Sequence, residues 1–195
     1  MTSLSPAPPS PAPRPASPLP APPHRNVALV GFMGAGKTTV GAILAQLLGF
    51  EFLDTDKVIE QRQGRRVADI FAKEGEVHFR ALESSLCSEL EGVSHKVIAT
   101  GGGLPVNPAN MESLRRHAFV ACLWASPETI HGRVRTQHHR PLLQAEDPLG
   151  RIRDLLARRT PAYKGADLIV GVDYRSPVET ARLIAKAFRH GTRDA

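Results

Sequence analysis

Short apolar runs alternate with helical stretches along most of the chain. "NVALVG" (26–31) reads as a buried strand, and "KTTVGAILAQLLG" (37–49) carries the apolar spacing of a helix ending at Gly49. "FEFLDTD" (50–56) predicts a second short strand, followed by a helical region over 57–92 that is broken near Gly64 and Gly75. "KVIAT" (96–100) predicts a third strand, "NPANMESLRR" (107–116) a helix, and "AFVACLW" (118–124) a fourth strand. The next helix begins at Ser126 with Pro127 in its first turn. "LGRIRDLLARRTPAY" (149–163) is helical, "DLIVGV" (167–172) is a fifth strand, and "SPVETARLIAKAF" (176–188) is a last helix. Ser176, Pro177 and Glu179 give that helix a cap, a first-turn proline and the spacing of a capping box. The alternation predicts an α/β fold in three layers, with a five-stranded parallel sheet between two layers of helices. Ligands on such sheets lie beyond the carboxyl ends of the strands.

Two segments stand outside this pattern. Residues 1–25 hold ten of the 17 prolines, mixed with Ala and Ser, and no acidic residue. Such a stretch cannot build a core and is expected to be a disordered extension with polyproline character. It lacks the apolar run of a secretory signal, and its many prolines fit a transit peptide poorly. A proline-rich ligand for a recognition domain is the alternative use. The second segment, "RTQHHRPLLQAEDP" (135–148), is polar between two helices, and a lid is expected over about 133–148. Its adjacent His138 and His139 lack a third ligand at matching local spacing, so they read as solvated loop residues rather than a metal site.

Residues 26–191 suffice for one domain with a buried core. The net charge is +6, of which Arg14 and Arg25 in the extension carry two, and the domain's remaining charge of about +4 is too mild to imply nucleic acid but suits an anionic ligand. No apolar run approaches a membrane span. Cys87 and Cys122 sit among apolar neighbours and are expected as buried free thiols, which places the chain in a reducing cytoplasm. With short connections and no evident exposed apolar face, a monomer is expected.

"GFMGAGKT" (31–38) matches G-x-x-x-x-G-K-[ST] in full, after a predicted strand and before a predicted helix. Glycines let such a loop turn its backbone N–H groups onto phosphate oxygens, and the new helix adds unpaired donors and its positive end. Gly34, Ala35, Gly36, Lys37, Thr38 and Thr39 are therefore candidate nucleotide-binding residues. Lys37 supplies a point charge to the outer phosphates and Thr38 a hydroxyl to Mg²⁺. The pattern establishes a P-loop NTPase fold and is silent about the reaction. No N-K-x-D occurs, so nothing supports a guanine-specific switch, and the chain is short for a motor.

"FLDTD" (52–56), "FRALE" (79–83), "ATGGG" (99–103), "RPLL" (140–143) and "RRTPAY" (158–163) follow the loop. In order and spacing the set resembles shikimate kinase, from about Val27 to Phe188. The resemblance implies a nucleoside-monophosphate-kinase-like fold and ATP-dependent phosphorylation of the shikimate 3-hydroxyl in aromatic amino-acid biosynthesis, with Mg²⁺. It implies that Asp56 holds the accepting hydroxyl, that Asp54 orients water on the metal, and that Arg80 and Arg159 bind the substrate carboxylate. Gly101, Gly102 and Gly103 would border the shikimate ring, and Arg140 would meet the transferred phosphate. Arg133 and Arg175 would lie near the adenine, with solvated surface charge as an equal reading.

The residues themselves bear on these roles. In an extended strand Asp54 and Asp56 project to one side; either is also placed to cap the helix that follows. Paired guanidiniums suit a carboxylate better than lysines do. Glu83, one helical turn from Arg80, is placed to orient it, and Arg158 reads as surface charge. Three consecutive glycines exceed what a turn requires and allow a ligand to approach backbone. The competing readings are a kinase for another polyol acid such as gluconate, and a non-catalytic nucleotide-binding module.

Overall fold

The computed structural model describes residues 25–135 and 146–191. The proline-rich stretch 1–24 and the lid centre 136–145, with His138, His139 and Arg140, lie outside them. Among the described residues five strands form one sheet: β1 (Asn26–Val30), β2 (Glu51–Asp54), β3 (Lys96–Ala99), β4 (Ala118–Trp124) and β5 (Leu168–Gly171). All pairings are parallel, in the order β2-β3-β1-β4-β5. Among the described residues seven α-helices accompany them: α1 (Lys37–Leu48), α2 (Thr55–Gln63), α3 (Val67–Glu89), α4 (Pro108–His117), α5 (Pro127–Val134), α6 (Pro148–Tyr163) and α7 (Pro177–Gly191). Every residue of β1 is buried, as expected of a central strand covered on both faces. Arg25 already joins the fold, because its carbonyl accepts from the His95 N–H at 2.8 Å.

Local chemistry explains the element ends. Gly49 and Gly64 close α1 and α2 in left-handed conformations, which cost glycine little. Gly75 (φ 82°, ψ 174°) kinks α3, so the helical region 57–92 breaks at both glycines that the sequence singles out. The capping box forms as spaced: Ser176 N–H and Oγ donate to Glu179 Oε2 at 2.8 and 2.7 Å, and Glu179 N–H donates back to Ser176 Oγ.

One expectation is corrected. The second strand stops at Asp54 instead of running to residue 56. Asp54 becomes the N-cap of α2, its Oδ1 accepting from the N–H groups of Asp56 and Lys57 at 3.1 and 3.3 Å. Capping by a carboxylate outweighs a further extended residue at the sheet edge. Asp56 is therefore helical, and alternation along a strand is not what brings the two carboxylates together.

Candidate active site

β1 runs into the phosphate loop at the middle of the sheet. Gly31 takes φ 133° and a Cβ there would overlap the Leu123 carbonyl oxygen, so the loop leaves the strand against β4 where only glycine fits. Gly36, also left-handed, caps α1 without any side-chain bond, which leaves the first-turn N–H groups facing the loop's concavity. Lys37 is buried and donates from Nζ to the carbonyls of Gly31 and Phe32, both at 2.9 Å. The loop thus wraps around the Lys37 ammonium.

A cavity of about 460 Å³ opens over this loop. Gly34 to Thr39 form its floor, Asp54, Asp56 and Gly102 one wall, and Arg133 and Arg175 another. Arg133 donates to Gly34 and Ala35 carbonyls at 3.2 and 3.4 Å and to the Val172 carbonyl at 3.0 Å, tying the loop to the exit of β5. Arg175 donates to the Gly171 carbonyl at 2.7 Å. Both arginines line the cavity on the side of the β5 exit.

Thr38 Oγ donates to Asp54 Oδ2 at 2.8 Å, so the two candidate metal residues meet although β3 separates β2, which ends at Asp54, from β1, which leads to Thr38 in α1. They offer a hydroxyl and a carboxylate, hard oxygen donors of the kind Mg²⁺ accepts alongside water and phosphate. Among the described residues no group of three or more His, Cys, Asp and Glu could hold a metal.

The other half of the site gathers around the glycine run. A Cβ on Gly101 would lie 2.5 Å from Asp56 Oδ1 and 2.6 Å from Glu83 Oε1. Both oxygens are buried without a hydrogen-bond partner. Burial pushes the Asp56 carboxyl above its ordinary value, and the neighbouring Asp54 adds to the rise while Lys37 opposes it. Glu83 is also raised, chiefly by burial and against the pull of Arg80. Arg80 donates from Nη1 to Glu83 Oε2 at 2.6 Å, and from Nε and Nη2 to Glu76 Oε1 at 3.2 and 2.8 Å. Its guanidinium packs so closely on Gly103 that any Cβ there would overlap it. Arg159 reaches the same rim from α6, with Nη1 3.4 Å from the Gly102 carbonyl and the guanidinium 5.3 Å from the Phe32 ring centroid. Arg158 is exposed, as read.

The fold therefore brings together Gly34 to Thr39, Asp54, Asp56, Arg80, Gly101 to Gly103, Arg159 and Arg175, while Arg140 lies outside the described residues. Sequence reasoning missed Glu76, although its four-residue offset from Arg80 is as much a helical spacing as the three-residue offset that flagged Glu83. It also missed Thr55, wholly buried, whose Oγ accepts from the Gly101 N–H at 2.9 Å. That bond docks the glycine run onto the end of β2.

Comparison with known proteins agrees with this geometry. A family model described as shikimate kinase matches residues 33–189. A shikimate kinase of Symbiobacterium thermophilum is 46% identical over 172 residues, covering 86% of this chain and 99% of that protein. One from Thermodesulfovibrio yellowstonii is 41% identical over 164 residues, covering 84% and 95%. Among solved structures, the shikimate kinase of Acinetobacter baumannii in complex with shikimate aligns with a TM-score of 0.81 and 40% identity, over 86% of this chain and 94% of that one.

Proposed function

The chain belongs to the shikimate kinase family, and from that membership we propose how its own residues phosphorylate the shikimate 3-hydroxyl with ATP. Residues 26–191 act as the kinase domain. One observation carries the reading: the phosphate-loop cavity and the arginine pocket share a wall at Asp56 and Gly102. A substrate carboxylate held by Arg80 and Arg159 leaves the ring beside Gly101 to Gly103 and a hydroxyl at Asp56. Backbone borders the ring because no side chain fits between the glycines and Asp56, Glu83 or Arg80.

The hydroxyl oxygen attacks the terminal phosphorus, and the bond to the oxygen bridging toward ADP breaks. Asp56 accepts the hydroxyl's hydrogen bond and then its proton; its raised affinity for protons suits that task. Loop N–H groups and Lys37 offset the charge spread over the transferred oxygens. Arg140 is assigned to the same oxygens by its place in "RPLL". An arginine there is worth about 10³-fold or more in rate. Thr38 and Asp54 would hold Mg²⁺, which would supply charge neutralisation at the outer phosphates when bound. Arg133 and Arg175 flank the adenine.

The partners are small molecules, ATP and shikimate, with no part for nucleic acid or membrane. No helix among the described residues is long and apolar enough to cross a bilayer. Cys87 and Cys122 are buried and free, which suits a reducing cytoplasm, and the protein acts as a monomer.

The test is a coupled assay of ADP release on shikimate, gluconate and related polyol acids, with and without Mg²⁺. Shikimate is expected to rank first and to require the cation. Gluconate ranking above shikimate would overturn the substrate assignment.

A further inference from the structure

Tyr163 ends α6 and is among the largest fully buried side chains of the fold, with 1% of its surface exposed. Its hydroxyl donates to the Gly102 carbonyl at 2.7 Å. A phenylalanine would fill the same space, so the hydroxyl is not needed for packing. A buried phenol does need a partner, and this one finds it in the substrate-facing glycine run. Burial pushes the phenol up to about 12, so it remains a donor throughout the working pH range.

The acceptor is shared. Arg159, one turn earlier on α6, directs Nη1 to that same carbonyl at the longer distance of 3.4 Å. Gly102 also lies directly on the phosphate loop, since a Cβ there would stand 3.2 Å from Met33 N and 3.5 Å from the Gly31 carbonyl oxygen. One carbonyl thus joins α6, the glycine run and the loop. With the phenol bonded at short range, the carbonyl makes only a weak claim on the arginine. Without it, the half-buried Gly102 carbonyl keeps the Arg159 guanidinium, already 3.4 Å away, as its side-chain donor, and the two would draw together.

We propose that Tyr163 is a positioning residue that satisfies the Gly102 carbonyl and thereby keeps Arg159 available to the substrate carboxylate. This rests on the proposed reading that Arg159 faces shikimate. It adds a second tier to the carboxylate site, in which a neutral donor relieves a charged one of a structural task.

The experiment is steady-state kinetics and thermal melting of the Tyr163→Phe protein, alone and combined with Arg159→Ala. Tyr163→Phe should raise KM for shikimate about fivefold, the ratio that ~1 kcal/mol represents. KM for ATP and kcat should stay within about twofold. In the Arg159→Ala background the same change should leave KM for shikimate unaltered, because the residue acted through that arginine. A melting temperature that falls with all kinetic constants unchanged, or a fivefold effect that persists without Arg159, would overturn the proposal while leaving the functional reading intact. A wild-type protein that fails to phosphorylate shikimate would overturn both.

Discussion

Arg80 and Glu83 form a 2.6 Å ion pair in which the glutamate side chain is wholly shielded from solvent while the arginine side chain keeps 30% of its surface exposed. The buried partner aims the exposed one. Glu76 holds the opposite edge, and Gly103 supplies the flat contact beneath. An arginine fixed on three sides loses little further freedom on binding a carboxylate.

Glu83→Gln is therefore expected to act on substrate affinity more than on chemistry. Gln keeps the shape and an acceptor oxygen but loses the charge-assisted bond. KM for shikimate should rise about tenfold, equivalent to ~1.4 kcal/mol, with a smaller loss in kcat. Kinetics in which kcat falls tenfold at constant KM would assign Glu83 to the chemical step instead.

Asp56→Asn should retain ATP affinity, read by nucleotide titration, and lose turnover by about 10²-fold or more. The wild-type pH profile carries the same information. A carboxylate must be ionised to accept a proton, and burial with Asp54 nearby raises its protonation range above 3.8. Activity should fall as pH drops through that raised value, earlier than an ordinary aspartate would allow. An acid limb surviving unchanged in residual Asp56→Asn activity would assign the limb to another group.

The Thr38–Asp54 contact predicts a shift in metal demand. Asp54→Ala should raise the Mg²⁺ concentration at half-maximal rate several-fold. It should also destabilise the fold by ~1 kcal/mol, because Asp54 caps α2. Comparing Asp54→Ser, which restores a cap but not a carboxylate, separates the two effects. Equal Mg²⁺ response in all three proteins would remove Asp54 from the metal site.

How far the sequence carried the reading depended on range. The phosphate loop, the caps at Ser126 and Ser176 and the breaks at Gly64 and Gly75 are local devices, legible from residue type and spacing. The strand order was not, because the insertion of β3 between β1 and β2 follows from packing between distant segments. That insertion puts "ATGGG" beside the phosphate loop and makes Gly102 the shared wall. The end of β2 was misread because Asp54 is equally at home in a short strand and as a cap, and only the α2 contacts decide. Tyr163 gave no signal of its own, since a tyrosine closing a helix reads as core until its hydroxyl has a partner.

A group outside the site is expected to contribute to acid sensitivity. His117 is buried at the end of α4, with Nδ1 2.8 Å from the Ser113 carbonyl and Nε2 buried without a partner. Burial holds it below 6.5, with Arg116 and Arg25 adding to the shift and Glu91 opposing it. The unfolded chain then binds a proton that the folded chain resists. Stability is full above about pH 6.5 and declines as pH falls from there toward the depressed value. Melting temperature between pH 7 and 5 should drop, by about 3 °C per kcal/mol lost. The drop should be smaller in His117→Gln, and an identical slope would place the titration elsewhere.

The most direct measurement is a crystal structure with shikimate and a non-hydrolysable ATP analogue bound together. Carboxylate contacts to Arg80 and Arg159, with the 3-hydroxyl at Asp56 and about 3–3.5 Å from the terminal phosphorus, are the expected result. Shikimate bound with its carboxylate away from both arginines, or its hydroxyl facing away from the nucleotide, would contradict the account.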